Sequence, residues 1–243
     1  MKRVLLTNDD GIDAPGLAVL EEVVGRLVGS RIESLVVAAP REPHSGCGHR
    51  VTTDRPLAVE NVGPGRHSID GTPADCVRVA LATFARDATV VLAGVNAGGN
   101  LGVDIHHSGT VAAARESALH GLPAVAFSQY HRRGRPIDWE AAGAWVARLL
   151  DEVVFRRAFL PGEFWNVNLP HVDSSPDDPP PGDPVMPPLA ECPVDPSPMS
   201  LGYRLTDEGW KYEASYHDRP RRPGHDIDRC FSGAITLSRI PIG

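Results

Sequence analysis

Asn8, Asp9, Asp10 and Gly11 follow directly on the run Val4, Leu5, Leu6 and Thr7. Two adjacent carboxylates each disfavour the other's ionisation. A chain that sets them at the end of a buried strand needs a cation to offset the repulsion. In open α/β sheets that position, just past the carboxyl end of a strand, is also where ligands bind. Two further loops bring polar groups from apolar runs of their own: Ser45 within His44-Ser45-Gly46-Cys47-Gly48, and Asn96 and Asn100 within residues 95–102. Carboxylate, hydroxyl and amide oxygens suit one divalent cation, Mg²⁺ or Mn²⁺, with Ca²⁺ as another occupant; softer metals would want His or Cys. Ser108-Gly109-Thr110 stands at a helix start, where free N–H groups and the dipole favour an anion such as phosphate. A cation and a phosphate cradle on one sheet edge point to phosphoryl transfer to water.

Each residue also has a plainer reading. Alone, Asp9 and Asp10 would serve equally as a helix cap and a solvated turn; Ser45 and Asn96 arriving from other strand ends favour the metal. Asn100 suits the satisfaction of loop backbone. Ser108 and Thr110 are helix caps, a role compatible with an anion at the same terminus. His106 and His107 carry the ring chemistry of an acid or base near neutral pH. Cys47 lies in the candidate loop without a motif to lower its pKa, so it reads as a small buried thiol.

The elements that must position these groups alternate. Residues 4–6 read as a strand, and Pro15 opens a helix in which Leu17, Leu20, Val23, Val24 and Leu27 recur at helical spacing. Residues 35–39 form a second apolar run, ended by Pro40. Thr72 caps the next helix, with Pro73 at its first position and Asp75 at the positive end of its dipole. Residues 90–93 form a third strand leading into the glycine-rich loop 94–102. A helix over 110–120 ends at Gly121, with Pro123 close behind. Residues 124–127 read as a fourth strand, and Asp138 caps a helix with Ala142, Trp145, Val146, Leu149 and Val153 on one face. This order predicts an α/β fold with a mostly parallel sheet and helices on both faces. No GxGxxG opens the first helix and no P-loop occurs, so a dinucleotide fold is not indicated. Residues 173–198, rich in Pro, Asp and Ser, predict an extended loop or arm. Strand-like alternation returns over 202–215 and 233–240. The expected organisation is an α/β core over 1–170 and an extension over 171–243 made of a β-hairpin, loop and closing strand.

Composition sets outer limits. The net charge of −7 argues against a nucleic acid polymer as partner, because polymer binding needs a basic face to displace counterions. A small phosphorylated ligand stays compatible, since a cation and a few amides neutralise one phosphate locally. Four scattered cysteines without a CxxC pair give neither a zinc framework nor a disulfide scaffold. No signal peptide or membrane-spanning stretch is legible, which makes the expected setting cytoplasmic, with no membrane partner.

Four runs taken together carry a resemblance. Leu6-Thr7-Asn8-Asp9-Asp10-Gly11-Ile12-Asp13-Ala14-Pro15-Gly16-Leu17, Gly71-Thr72-Pro73-Ala74-Asp75-Cys76-Val77, residues 96–102, and Ser108-Gly109-Thr110-Val111-Ala112-Ala113 closely resemble the survival-protein SurE family of metal-dependent 5'/3'-nucleotidases. The match is ordered and spread over roughly the first half of the chain, with weaker echoes at 166–170 and 232–237. The resemblance implies a Rossmann-like α/β core and a C-terminal extension used to form homodimers or homotetramers. It implies release of inorganic phosphate from nucleoside 5'- or 3'-monophosphates, with Asp9, Asp10, Ser45 and Asn96 as metal ligands. Asp9, Asn96 and Ser108 are then the expected catalytic residues, and Asn8, His107, Ser108, Gly109 and Thr110 the expected phosphate and substrate contacts. Arg50 is a candidate auxiliary positive charge. The chain departs from the family pattern at His107, at His49-Arg50 after Gly48, and at Glu116-Ser117; none removes an expected ligand. Rival readings are a phosphatase acting mainly on another phosphomonoester, a phosphatase forming an aspartyl-phosphate, and a non-catalytic nucleotide- or metal-binding protein.

Overall fold

The computed structural model describes residues 2–171, 185–199, 201–213 and 215–242. Strand β1 (Lys2–Thr7) is buried from Val4 onward and pairs in parallel with β2 (Ile32–Pro40) on one side and β5 (Val90–Asn96) on the other. Between β2 and β5 the chain makes the hairpin of β3 (Val59–Gly63) and β4 (Arg66–Ile69). It then continues outward on the far side of β5 through β6 (Ala124–Gln129) and β7 (Glu163–Leu169), both parallel. The final strand, β11 (Ile235–Pro241), closes antiparallel on β7, and the short β8 (Leu189–Glu191) runs parallel beside it. The sheet order is β3-β4-β2-β1-β5-β6-β7-β11-β8. The hairpin at one edge has no apolar run to announce it, because the first four residues of β3 are all exposed.

Alternation along the central strands builds two cores. Val4 and Leu6 of β1, with Val90 and Leu92 of β5, face the layer of α1 (Pro15–Gly25) and α4 (Trp139–Leu149). Leu5, Val91 and Ala93 face the layer of α2 (Pro73–Ala82) and α3 (Gly109–Leu119). A period of two with both faces buried gives continuous apolar runs, and helices on both faces follow. The caps form as their sequences direct. Thr72 accepts from Asp75 N and Asp75 accepts from Thr72 N at 2.9 Å, a reciprocal capping box, while Asp138 accepts from Ala141 N at 2.9 Å at the start of α4.

Gly16 sets how closely α1 approaches the sheet. A Cβ there would lie 1.9 Å from the Val95 carbonyl oxygen and 2.9 Å from the Trp139 ring. Nine of the eleven residues of α3 are buried, and its run of alanines lets the helix sit close over β5 and β6.

Of the proline-rich run 173–198, residues 173–184 lie outside the described residues; the rest includes β8. Strands β9 (Tyr203–Thr206) and β10 (Gly209–Tyr212) form a separate antiparallel hairpin. The helix α5 (Asp226–Phe231) precedes β11. Among the described residues no helix is long and apolar enough to cross a membrane.

Candidate functional site

After β1 the chain moves to β2 and β4, then returns to the other side of β1 with β5. Strands β2, β1 and β5 are therefore neighbours at the point where the strand order reverses, and the loops leaving their carboxyl ends open on one crevice, the usual ligand position in such sheets. Those loops hold Asn8 to Asp10, His44 to Gly48 and Asn96 to Gly102. The start of α3 closes the fourth side.

Direct bonds tie the four segments together. The His44 N–H donates to the Asp9 carbonyl at 2.7 Å, and the Gly48 N–H to the His107 carbonyl at 2.9 Å. The Ala97 N–H donates to Asp10 Oδ2 at 2.9 Å, joining β1 to the loop after β5. Gly109 lies so close to the β1 end that a Cβ would meet Asp9 Cβ at 2.8 Å, Asp9 Oδ2 at 3.0 Å and Cys47 Sγ at 3.1 Å. Only a residue without a side chain brings the α3 amides this near a carboxylate.

Asp9 is the electrostatic centre. It is 4% exposed, and burial pushes its carboxyl up from 3.8 to about 6. The neighbouring Asp10 charge adds to the rise, while the Thr110 hydroxyl, which donates to Asp9 Oδ1, and the Thr110 N–H oppose it. A buried anion with few donors and a like charge beside it is a group whose ionisation a cation would favour. Asn8 adds a second such feature. Its amide nitrogen donates to the Gly11 carbonyl at 2.8 Å, leaving Oδ1 buried and without a partner among the described residues. The buried Oδ1 of Asn8 is thus an acceptor, fit for a cation or a water. Asn96 behaves similarly, its amide nitrogen donating to the Gly98 carbonyl at 2.7 Å, which leaves its oxygen as the atom to offer.

Ser45 is exposed on a loop fixed on both sides of it, at His44 and Gly48. At the α3 start the Ser108 hydroxyl accepts from Val111 N at 3.1 Å, and its own proton has no acceptor among the described residues. The Ser108 N–H is taken by the Asp104 carbonyl and the Thr110 N–H is directed to Asp9, so among the described residues the Gly109 N–H is the first-turn donor left for a ligand. Thr110 spends its hydroxyl proton on Asp9. The His107 ring is exposed, and its backbone joins the two loops. Cys47 is half-buried, and burial, with the Asp9 charge, pushes its thiol up to about 11, which makes it a poor nucleophile. Among the described residues no three His, Cys, Asp or Glu side chains gather as a metal cluster. A cation in this crevice therefore depends on the two carboxylates and on neutral oxygens, a hard-ligand set.

Two contacts have no local signal in the sequence. Asp9 and Thr110 are 101 residues apart. Glu116, buried on α3, faces His49 at 2.6 Å, His120 at 2.9 Å and Arg78 at 3.4 Å, and so ties the loop after β2 to the helix. Burial alone would raise the Glu116 carboxyl, yet hydrogen bonds from His49 and His120 outweigh it and hold the group below its ordinary value.

Residues 4–179 match the family model described as survival protein SurE. A Nostoc protein described as a candidate 5'-nucleotidase is 44% identical over 239 residues, covering 98% of this chain and 99% of its own length. The 5'-nucleotidase SurE of Roseobacter denitrificans is 37% identical, covering 97% of this chain and 92% of its own. The crystal structure of the SurE protein from Aquifex aeolicus superposes with a TM-score of 0.81 at 25% identity, covering 99% of this chain and 94% of that one.

Proposed function

The chain belongs to the survival protein SurE family, and from that premise we propose that it is a nucleotidase, a phosphomonoesterase that releases inorganic phosphate from nucleoside 5'- or 3'-monophosphates. The observation that carries this reading is the contact of the buried Asp9 carboxylate with the Thr110 hydroxyl and the Gly109 backbone at the reversal of strand order. A place for a cation and a place for a phosphoryl group then share one wall.

One Mg²⁺ or Mn²⁺ ion is the cofactor that the donor set suits, held by Asp9, Asp10, Ser45 and Asn96. When bound, it would neutralise the paired carboxylates, polarise a phosphate oxygen and activate the attacking water. The chain's own groups do the rest. Asp9, kept ionised near neutral pH by Thr110, orients the water. The Gly109 N–H and the Ser108 O–H donate to the phosphoryl oxygens as charge develops on them. Thr110 acts through Asp9, and His107 stands at the mouth beside the substrate. Residues 171–243 serve assembly into a homodimer or homotetramer. This is supported by the exposed apolar side chains Leu201, Leu205 and Trp210 on and beside the β9–β10 hairpin, which a second copy would cover.

The direct test is a phosphate-release panel of nucleoside monophosphates and simple sugar phosphates with Mg²⁺, Mn²⁺, Ca²⁺ or EDTA. Release from the nucleotides that EDTA abolishes is the expected result. Tight nucleotide binding with no release under any metal would sink the reading, and a trapped covalent phospho-enzyme would replace water attack by an aspartyl route.

Cation binding is also expected to depend on pH through Asp9. Ligands must be ionised to bind a metal, so binding releases the Asp9 proton below about pH 6. Mg²⁺ or Mn²⁺ should raise the thermal unfolding midpoint clearly at about pH 7.5 and much less at about pH 5. A metal-induced shift of equal size at both values would contradict the role given to Asp9.

A further inference from the structure

We propose that the ring cluster of Tyr130, His217 and Phe231 is the nucleobase platform of this site, with the His217 imidazole as the face on which the base stacks. The inference rests on the nucleotidase reading and extends it to the part of the substrate that does not react.

Tyr130 follows β6 directly, at the same sheet edge as the catalytic loops. Its hydroxyl lies 2.6 Å from His217 Nδ1, and the two rings are coplanar to within 6°. They form one flat surface wider than a single ring. Phe231 stacks on both, with centroids 4.5 Å from Tyr130 and 4.9 Å from His217. Tyr130 is buried, yet His217 stays exposed although Phe231 covers one of its faces. The exposure of the imidazole therefore belongs to its opposite face and edge.

The cluster is fastened to the site. The Tyr216 hydroxyl lies 3.1 Å from the Gly99 carbonyl and 2.8 Å from Asp104 Oδ2, and Arg219 donates to the same Asp104 oxygen at 2.6 Å. Gly99 lies flush against the rings, since a Cβ there would sit 3.2 Å from Tyr216 Oη and 3.3 Å from Tyr130 Cβ. Two residues separate Gly99 from Asn96, and the three Cα–Cα steps between them span at most about 11 Å. Phosphate and base of one nucleotide can therefore reach the two ends of the loop together.

A flat aromatic surface offers a phosphate nothing, but it suits any nucleobase, because each base has a π-face. The platform thus selects nucleotides over plain sugar phosphates and discriminates little among bases. A ring cluster that only anchored the tail would leave this selectivity untouched.

The test compares kcat/KM for adenosine 5'-monophosphate with kcat/KM for ribose 5-phosphate, using the full chain with Mg²⁺ or Mn²⁺. The ratio is expected to fall about tenfold in His217→Ala and to recover in His217→Trp, which restores a stacking face. A ratio unchanged in His217→Ala, with phosphate still released from both substrates, overturns the platform and leaves the nucleotidase reading standing. A wild-type chain that releases phosphate from neither substrate under any divalent metal overturns that reading and the platform with it.

Discussion

Replacing Asp9 with Asn is expected to cut phosphate release about a thousandfold, the order of effect for losing a ligand that supports metal-assisted transfer, while making the metal-free protein more stable at neutral pH. The two effects have one origin. Burial holds the Asp9 carboxyl at about 6 in the folded chain, against 3.8 for the free group. Below about pH 4 the group is protonated in both states and its ionisation costs nothing. As pH rises towards 6 the unfolded chain gives up its proton first, so the native state binds more protons and folding stability falls. Above pH 6 the full penalty is present, up to about 3 kcal/mol for a shift of this size. Asn has the same shape and no such charge. Unfolding midpoints measured in EDTA should therefore coincide near pH 4 and separate through pH 6, with Asp9→Asn the higher. Equal midpoints at neutral pH, or an active variant, would remove Asp9 from the centre of the site. Added Mg²⁺ or Mn²⁺ should narrow the gap by stabilising the wild type alone.

Gly16→Ala is expected to destabilise the fold by about 3 kcal/mol or more, at the upper end for an overpacked core. The added methyl would stand 1.9 Å from a carbonyl oxygen of β5, and a strand in the middle of a nine-stranded sheet cannot retreat. The helix α1 must lift instead, away from Val95 and Trp139. For a chain of this size the unfolding midpoint should drop by about 6–12 °C. Gly25→Ala, at the other end of the same helix, is the control, because among the described residues a Cβ there meets nothing within 4 Å. Removing a helical glycine in open space should be neutral or stabilising by up to about 1 kcal/mol. Equal losses from the two substitutions would show that helix propensity, not the close approach to β5, governs Gly16. Activity should fall at temperatures where Gly16→Ala is still folded, since Val95 leads directly into Asn96.

The chain's local chemistry was enough to place most of the core. Apolar runs at 4–6, 35–39, 90–93 and 124–127 became β1, β2, β5 and β6, since strands buried on both faces are continuously apolar. The caps at Thr72, Ser108 and Asp138 formed where side-chain oxygens could reach amides three residues on, a wholly local condition. The exposed β3 strand carried no comparable signal, because its pairing with β4 does not depend on burying a face.

The carboxylate pair, the polar loops and the Ser-Gly-Thr helix start were legible as separate pieces with a family likeness. Which atoms remain available to a ligand was decided by the tertiary structure alone. The strand order sets β5 beside β1, and this brings Thr110 onto Asp9 across 101 positions, where its hydroxyl is the carboxylate's hydrogen-bond donor. Likewise Asn8 gives its amide nitrogen to Gly11 and keeps an oxygen without a partner among the described residues, and the Tyr130 and His217 rings become coplanar across 87 positions. Residue types and spacing specify which groups a chain possesses. The burial, desolvation and mutual bonding that set their charge and direction arise only when distant segments pack together.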